Sequence, residues 1–275
     1  MSLCHYEVHV YVIGIDIGSL ASKAVLVDGK KQIISYSIVP TGARSGAAGQ
    51  DAYDRVLKQA GLQPGNISYV LSTGYGRANV SISNEQLTEI TCHARGAYTL
   101  NPDVRTVIDI GGQDSKAISL TDMGDVAKFA MNDKCAAGTG RFLEVMARAL
   151  EIDLADMGDL SLKSTTSVEV SSMCTVFAET EVVSLIAGSC NKEDIIAGIH
   201  RAIARRVGTM AENIGIRQRV MMTGGVAKNI GVVRALEEKL GTALLVPDEP
   251  QIVGALGAAI FALERALTVN INNAG

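Results

Sequence analysis

The chain has 275 residues, enough for one large domain or for two domains of ordinary size. Hydrophobic residues make up 47% and charged residues 20%, as in globular proteins, and the formal net charge of −4 argues against nucleic acid or an anionic membrane as the main partner. No apolar run reaches the roughly 18 residues of a membrane span, and no signal peptide is recognisable. Five cysteines without close spacing argue against a disulfide framework, so we expect a cytoplasmic protein.

The first strong pattern is a strand, a glycine turn and a second strand over residues 10–27. Asp16 lies at the tip of this predicted β-hairpin, and Gly18 makes the turn. Neither a P-loop nor a Rossmann fingerprint is present, and no helix is predicted after the glycine. A third strand is expected over residues 32–39, followed by a loop of small residues over 41–49.

Two predicted helices flank the next strand. They cover residues 51–60, closed by Gly61, and residues 85–100, and the short strand between them covers residues 67–72. The segment 105–120 then repeats the pattern of strand, turn and strand.

This repetition extends to the residues themselves. Residues 15–24 align without a gap with residues 108–117, and seven of the ten positions are identical. Residues 70–74 and 220–224 also share a strand that runs into a Thr-Gly turn. An internal duplication of this kind predicts an α/β fold with two similar halves that face each other.

The tips of the two related hairpins carry groups that suit the phosphates of a nucleotide. Glycine turns let backbone N–H groups approach phosphate oxygens, and nearby hydroxyls add donors. The residues expected to contact phosphate in this way are Gly18, Ser19, Ser22, Gly111 and Gly112. Asp16 and Asp109 are expected to hold Mg²⁺ through its waters, since this ion takes few carboxylates directly.

Three further side chains accompany these turns. Gln113 is placed to orient an attacking water on the γ-phosphate. Lys23 and Lys116 occupy equivalent positions in the two hairpins. Each is either a phosphate ligand or a solvated charge at the base of its hairpin.

Cysteines precede two predicted helices in the second half of the chain. Cys135 lies in the segment 132–141 and is expected at or just before a helix N-terminus. Cys174 precedes a helix over residues 176–183, with Gly188 as its C-cap. A helix N-terminus favours a thiolate, so one interpretation is ligation of a soft metal. The other is that both cysteines are small buried hydrophobic residues.

Small residues mark the last part of the chain. A strand over residues 221–223 runs into Gly224-Gly225, a turn that admits a flat base or ribose close to the backbone. A helix is predicted over residues 234–240. The glycines and alanines of residues 251–259 predict a helix that packs closely on a neighbour, as a hinge between two lobes would need.

Four of these motifs resemble those of the actin-like ATPase superfamily, which includes acetate and sugar kinases and actin. The segments that look like its phosphate-1, phosphate-2, adenosine and connecting motifs are residues 16–19, 109–113, 223–225 and 254–257. The resemblance implies two duplicated actin-like (ribonuclease H-like) α/β lobes with a nucleotide cleft between them. The expected lobes are residues 1–102 with the C-terminal helix 253–275, and residues 103–252.

Residues 73–77, 132–142 and 172–179 resemble, more narrowly, the activator component of 2-hydroxyacyl-CoA dehydratases. The ATPase subunits of benzoyl-CoA reductase belong to the same family. The resemblance implies an ATPase that uses ATP and Mg²⁺ to push a low-potential electron into a dehydratase-type partner, with ferredoxin or flavodoxin as the electron donor. It also implies a [4Fe-4S] cluster shared across a homodimer, and the two cysteines that each subunit supplies match Cys135 and Cys174.

The nucleotide contacts of that family carry over to matching positions. They are Gly18, Ser19, Leu20, Ala21, Ser22, Lys23, Gly111, Gly112, Gly224, Gly225 and Gln251, with Asp16, Asp109 and Gln113 as catalytic residues. Leu20 departs from the pattern, because many members have a hydroxyl residue there. Cys4, Cys92 and Cys190 match no ligand motif and are expected to be structural or surface thiols.

A count of cysteines points to the same dimer. A [4Fe-4S] cluster usually takes four cysteines, and this chain offers two that precede helices. A two-fold axis through the cluster would double them.

Two other functions stay open on the sequence alone. One is a small-molecule kinase of the same superfamily, although no motif for its catalytic base is present. The other is a non-catalytic ATP-gated scaffold. The sequence does not specify which acyl-CoA a partner enzyme would use.

Overall fold

A computed structural model describes residues 10–170 and 174–273 of the chain. Cys4 lies outside these ranges, as do residues 171–173 of the second cysteine motif, so the expectation for Cys4 stays a prediction. Within the described ranges the chain forms ten β-strands and eight α-helices. The strands are β1 (Tyr11–Ile17), β2 (Ala21–Asp28), β3 (Ile33–Pro40), β4 (Ile67–Thr73), β5 (Glu85–Gln86), β6 (Thr106–Ile110), β7 (Ser115–Leu120), β8 (Val126–Asn132), β9 (Val220–Thr223) and β10 (Leu244–Leu245). The helices are α1 (Ser45–Ala60), α2 (Glu89–Leu100), α3 (Gly140–Ala149), α4 (Met157–Ser161), α5 (Thr175–Ala187), α6 (Lys192–Ile214), α7 (Ile230–Leu240) and α8 (Val253–Asn273).

The chain divides into two compact units, each with one five-stranded sheet. The first unit comprises Met1–Thr99 and Ile252–Gly275, and the second comprises Leu100–Gln251. The strand order is β3-β2-β1-β4-β5 in the first unit and β8-β7-β6-β9-β10 in the second. The central strands β1 and β6 each pair antiparallel with the next strand and parallel with β4 or β9. The two sheets thus share one topology, and the predicted duplicated α/β fold is confirmed.

In the first unit, alternate residues of β1 enter two different hydrophobic cores. Ile13 and Ile15 pack in one cluster with residues of α1, whereas Val12 packs in another with residues of α8. This follows from the geometry of a strand, whose successive side chains point to opposite faces of the sheet. Both faces of the sheet are therefore covered by helices, as the α/β class requires.

Close packing of α8 in the first unit depends on glycines. A Cβ at Gly14 of β1 would overlap the backbone of α8 at Ala255 and Ala259, and one at Gly257 would overlap the Cys92 carbonyl of α2. The close packing expected for residues 251–259 is therefore present. Pro250–Val269 is long and apolar enough to cross a membrane by composition alone, which the sequence argument against a span overlooked. Of its most apolar window, 67% is buried, as in a core helix of a globular unit.

Several helix boundaries differ from the predictions, among them the start of α7, at Ile230 instead of residue 234. Helix α1 begins at Ser45, so the loop expected over residues 41–49 ends early. Small residues allow this start: a Cβ at Gly49 would lie 2.9 Å from Cδ1 of Ile17. Helix α2 begins only at Glu89, because the start of the predicted segment pairs with β4 as strand β5.

In the second unit, α6 is a central helix that the sequence analysis did not predict. It contacts α4, α5 and α7 and the strands β7 and β8. Its residues Ile195, Ile199 and Ile203 belong to the hydrophobic core of this unit. Helix α6 therefore packs against β7, which follows the Asp109 turn, and against α5, which follows Cys174.

One buried polar group in this core has an unsatisfied atom. The side-chain amide of Asn229 donates to Nε2 of His200 at 3.3 Å, which leaves the proton of the neutral ring on Nδ1. That Nδ1 atom is buried and has no hydrogen-bond partner among residues 10–170 and 174–273. Burial, and to a smaller extent the nearby Arg201 charge, lower the pKa of His200 from 6.5 to about 3.

This histidine should make the stability of the fold acid-sensitive. Above pH 6.5 His200 is neutral in the folded and in the unfolded chain, so there it does not lower the free energy of unfolding. As the pH falls from 6.5 toward about 3, only the unfolded chain binds the proton, and the free energy of unfolding should decrease by up to about 1.4 kcal/mol per pH unit. Urea unfolding of wild type and of His200→Gln, which keeps an acceptor for Asn229, tests this. The variant should show a shallower dependence over this window, and an equal slope would contradict the assignment.

Candidate functional site

The first candidate turn joins β1 to β2 and contains a buried ion pair. Asp16, at the end of β1, is 4% exposed, and Lys23 lies directly opposite it on β2. Nζ of Lys23 is 3.1 Å from Oδ2 of Asp16. Gly18 closes the turn with an N–H that donates to the Ala21 carbonyl at 3.1 Å. A Cβ at Gly18 would lie 3.0 Å from the Lys23 amino group, so this amine lies at the turn and is not a solvated charge.

Hydroxyl groups support this turn from inside. The Thr41 hydroxyl donates to the Gly18 carbonyl at 2.8 Å and is 2.9 Å from the hydroxyl of Ser22. Ser22 is fully buried, so we assign it to the support of the turn and not to direct contact with a ligand. Leu20, where a hydroxyl was expected by resemblance, is exposed, whereas Ser19 is partly exposed.

The second candidate turn joins β6 to β7 and repeats this arrangement with additional charge. Asp109 is 3% exposed, and its Oδ2 is 3.2 Å from Nζ of Lys116 on β7. The same amine forms a short ion pair with Asp114. The Thr223 hydroxyl of β9 donates to Oδ1 of Asp109 at 2.8 Å. Lys116 is buried, so the alternative of a solvated charge is wrong for it, while the exposed tip of the turn is occupied by Gln113.

The glycine of a Thr-Gly turn packs closely against the carboxylate of each aspartate. A Cβ at Gly74 would collide with Oδ1 of Asp16, and one at Gly224 would lie 2.9 Å from Oδ1 of Asp109. Both glycines have a positive φ, at 85° and 86°, which other residues adopt only with strain. Thr223 was not among the predicted site residues, although the repeated Thr-Gly pair in the sequence was the signal that could have identified it. Asp114 was also missed.

Beyond Thr223, the structure brings the predicted adenosine-side residues together within the second unit. The N–H of Gly224 donates to the Pro250 carbonyl at 2.9 Å. A Cβ at Gly225 would lie 3.3 Å from Nε2 of Gln251. Gly224, Gly225 and Gln251 therefore form one local surface next to the Asp109 turn.

The two candidate cysteines differ in their relation to helices. Cys174 is the N-cap residue of α5, as predicted, and Gly188 is the C-cap. Cys135 is not at a helix terminus: α3 begins at Gly140 with Thr139 as its N-cap, and Cys135 lies in the preceding turn. The sequence prediction placed the start of the helix correctly but put Cys135 too close to it, because the glycines at 138 and 140 allow an extra turn, whose Gly138 has a φ of 86°.

Burial separates Cys92 from the other described cysteines, but it does not separate Cys190 from the two candidate ligands. Cys135 and Cys174 are free and partly exposed. Cys92 is fully buried, and burial raises the pKa of its thiol to about 12, so it fits the expectation of a structural thiol. Cys190 and Cys135 both pack at the edge of the core of the second unit, and only the sequence motif distinguishes them. Thiolates are the ligands that iron–sulfur clusters use, and Cys135 and Cys174 remain the two candidates on their sequence motifs.

The described part of one chain contains no complete metal site. Among the described residues, no group of three or more His, Cys, Asp or Glu side chains is arranged to hold a metal ion. A cluster bound by Cys135 and Cys174 would therefore need ligands from outside the described part of this chain.

The second candidate turn is hydrogen-bonded to the helix that follows the Cys135 segment. The N–H of Gly140 donates to the Gly111 carbonyl at 2.9 Å, and the N–H of Arg141 donates to the Gly112 carbonyl at 2.7 Å. A Cβ at Gly140 would lie 3.2 Å from the Gly111 oxygen, so a larger residue would strain this contact. The first N–H groups of α3 are thus used by the turn, and a displacement of the turn would pull on α3.

Comparison with known proteins gives a consistent result along the chain. Residues 13–262 match the BadF/BadG/BcrA/BcrD ATPase family. The activator of lactoyl-CoA dehydratase from Anaerotignum propionicum is 50% identical over 256 residues, which cover 93% of this chain and 98% of that protein. The (R)-2-hydroxyglutaryl-CoA dehydratase activating ATPase of Acidaminococcus fermentans is 47% identical over 258 residues, covering 94% and 98%. The solved activator of the 2-hydroxyisocaproyl-CoA dehydratase from Clostridium difficile, with bound ADPNP, has a TM-score of 0.90 at 44% identity and covers 95% of this chain and 97% of that one.

A more distant likeness supports the actin-like fold. A ROK family glucokinase from Streptomyces griseus, solved with glucose and AMPPNP, has a TM-score of 0.57 at 16% identity and covers 92% of this chain and 99% of that one. At this level of identity the likeness concerns the fold alone, and it carries no argument for a kinase activity.

Proposed function

Because this chain belongs to the BadF/BadG/BcrA/BcrD ATPase family, we propose that it is an ATP-hydrolysing iron–sulfur protein that activates a 2-hydroxyacyl-CoA dehydratase or a related acyl-CoA reductase. Activation would consist of the transfer of one low-potential electron to that partner enzyme. The observation that carries this proposal is the pair of hydrogen bonds between the Gly111-Gly112 turn and the start of α3, which joins the candidate phosphate site to the Cys135 segment.

The two carboxylates at the hairpin tips are suitable ligands for the metal ion that accompanies a nucleotide. We propose that Asp16 and Asp109 hold Mg²⁺ through its waters, and that Gln113 orients the water that attacks the γ-phosphate. The residues proposed to contact ATP are Gly18, Ser19, Leu20, Ala21, Lys23, Gly111, Gly112, Gly224, Gly225 and Gln251. Lys116 and Thr223 would hold Asp109 in place, because both bond to its carboxylate.

Two thiols per chain define the proposed redox site. Cys135 and Cys174 would hold a [4Fe-4S] cluster jointly with the same residues of a second copy, in a homodimer. Such a cluster supplies one-electron redox chemistry at low potential. Ferredoxin or flavodoxin would supply the electron, and a dehydratase-type enzyme would accept it. The relatives from Anaerotignum propionicum and Acidaminococcus fermentans support this partner class, since both are activators of 2-hydroxyacyl-CoA dehydratases. We place the protein in the cytoplasm.

The test is anaerobic purification followed by iron and sulfide analysis, EPR spectroscopy and an ATPase assay. The proposal predicts about four irons per dimer, an EPR signal that appears on reduction, and ATP-dependent activation of an added 2-hydroxyacyl-CoA dehydratase. A colourless protein without iron that phosphorylates a sugar or a carboxylate would contradict it and favour the kinase. A protein that binds ATP without hydrolysis and without iron would favour a scaffold.

A further inference from the structure

Residues 164–170 form an irregular segment that leads toward Cys174, and we call it the cysteine strap. It has no helix or strand of its own. Its last residue, Val170, is fully buried in the core of the second unit, so the strap is held firmly at that point. The contacts that hold it come largely from one helix, α6.

The strap begins at a carboxylate near the start of α6. Oδ1 of Asp194 accepts the backbone N–H groups of Thr165 and Thr166, at 2.8 and 2.9 Å. The Ser164 hydroxyl donates to the same oxygen at 2.8 Å. These donors, led by the Thr166 backbone, hold the pKa of Asp194 well below its usual range. The carboxylate is therefore charged at neutral pH and anchors the first three residues of the strap.

Gly198, Arg201 and Arg205, which follow Asp194 on α6, hold the remainder of the strap. A Cβ at Gly198 would lie 2.5 Å from the Val168 carbonyl, so only glycine permits this approach. The Arg201 guanidinium donates to that carbonyl at 3.1 Å, and the Arg205 guanidinium donates to the Val170 carbonyl at 3.1 Å. Arg205 is thus the last described anchor of the strap before Cys174.

The four helix residues that hold the strap lie on one face of α6. Positions 194, 198, 201 and 205 follow the three- and four-residue steps that keep side chains on one side of a helix. They contact residues 164–166, 168 and 170 of the strap, so the order of the contacts along the helix follows the order of the residues along the strap.

The next residues of α6 contact the other cysteine segment. A Cβ at Gly138, three residues after Cys135, would lie 3.0 Å from Cδ of Arg206 and 3.5 Å from a methyl carbon of Val207. One helix therefore supports both segments that carry the candidate ligands, through Arg205 on one side and Arg206 with Val207 on the other.

We propose that this face of α6 is the platform that sets the position of Cys174 for metal binding, and that Arg201 and Arg205 are positioning residues whose guanidinium groups fix the strap. The inference rests on the proposed function for the identity of the metal group. The contacts between the strap and α6 involve only residues of this chain, so they can be tested in protein without the cluster.

The test compares wild type with Arg205→Met, which keeps the length of the side chain and removes its donors. In the full-length chain without iron, reduced under anaerobic conditions, the rate of alkylation by iodoacetamide is measured separately for Cys174 and Cys135 by mass spectrometry. Loss of one hydrogen bond to the strap should raise the rate at Cys174 about fivefold and leave the rate at Cys135 nearly unchanged. In the iron-loaded dimer the same variant should lose iron to a chelator faster.

Matched variants separate this role from a general loss of stability. Glu169→Gln removes the exposed ion-pair partner of Arg205 but leaves the bond to the Val170 carbonyl, and Arg234→Met removes an exposed arginine of α7 that pairs with Glu237. Both should behave like wild type, and Arg205→Lys should recover part of the protection. Equal alkylation of Cys174 in Arg205→Met and wild type would overturn the platform even if the protein binds iron. A wild-type protein that never binds iron would instead refute the proposed function and leave the alkylation result to decide the strap.

Discussion

Cys135→Ser and Cys174→Ser are each expected to yield a protein without its iron–sulfur cluster. Serine offers an alcohol where the cluster needs a thiolate, and in a symmetric dimer each substitution removes two of the four ligands at once. Iron should fall from about four per dimer to less than about one, with loss of the visible absorbance and of the EPR signal. The measurement is iron and sulfide analysis of anaerobically purified protein at equal dimer concentration.

The remaining thiols provide the controls for this experiment. Cys190→Ser and Cys4→Ser should keep full iron, since neither cysteine matches a ligand motif. Cys92→Ala should also keep it, because the buried thiol of Cys92, with a pKa of about 12, forms no thiolate at neutral pH. If Cys135→Ser and Cys174→Ser both retained wild-type iron, the assignment of the ligands would be wrong.

The hairpin tips were predictable from sequence because their signals are local. A strand, a glycine turn and a strand with an acidic tip can be recognised within about ten residues, and the ungapped repeat identified the second copy. Their supporting partners could not be found in this way. Thr223 bonds to Asp109 across 114 positions of sequence, and Thr41 reaches Gly18 across 23. Such contacts depend on which strands become neighbours in the sheet, and local periodicity does not encode that.

The cysteine segments show the same limit at shorter range. The apolar periodicity after residue 140 correctly predicted α3, but it could not show that Cys135 lies in a separate turn before the helix. The strap before Cys174 has no periodicity at all. Its conformation is determined by α6, whose Asp194, Gly198 and Arg205 follow the strap residues that they contact by about 30 positions.

The second large effect is a change in the Cys135 segment that depends on which nucleotide is bound. The Gly111 N–H already donates to the Asp114 carbonyl, so the N–H groups that a phosphate would use at this turn are those of Gly112 and Gln113. These N–H groups share peptide units with the Gly111 and Gly112 carbonyls, which accept from Gly140 and Arg141. Loss of that phosphate after hydrolysis changes the charge at the turn, and the change can be passed to α3 and to the Cys135 segment within one unit. A ligand shifts a two-state equilibrium only by its differential affinity, so ATP and ADP must favour different positions of this turn.

Gln113→Ala is expected to separate ATP hydrolysis from cluster binding. Gln113 is exposed at the tip of the turn, so its truncation should leave the fold, the dimer and the iron content unchanged, while ATPase activity and ATP-driven activation of the dehydratase fall on the order of a hundredfold. Asp109→Asn should have the same effect on activity, with some loss of stability, because it weakens a buried pair with Lys116.

In wild type, a chelator should remove iron at different rates with ATP and with ADP bound. Gly140→Val, which strains the contact with the Gly111 carbonyl, should reduce that difference while ATP is still hydrolysed. Equal chelation rates with the two nucleotides in wild type would show that the turn does not control the cysteine segment, even if the ATPase and the cluster are both present.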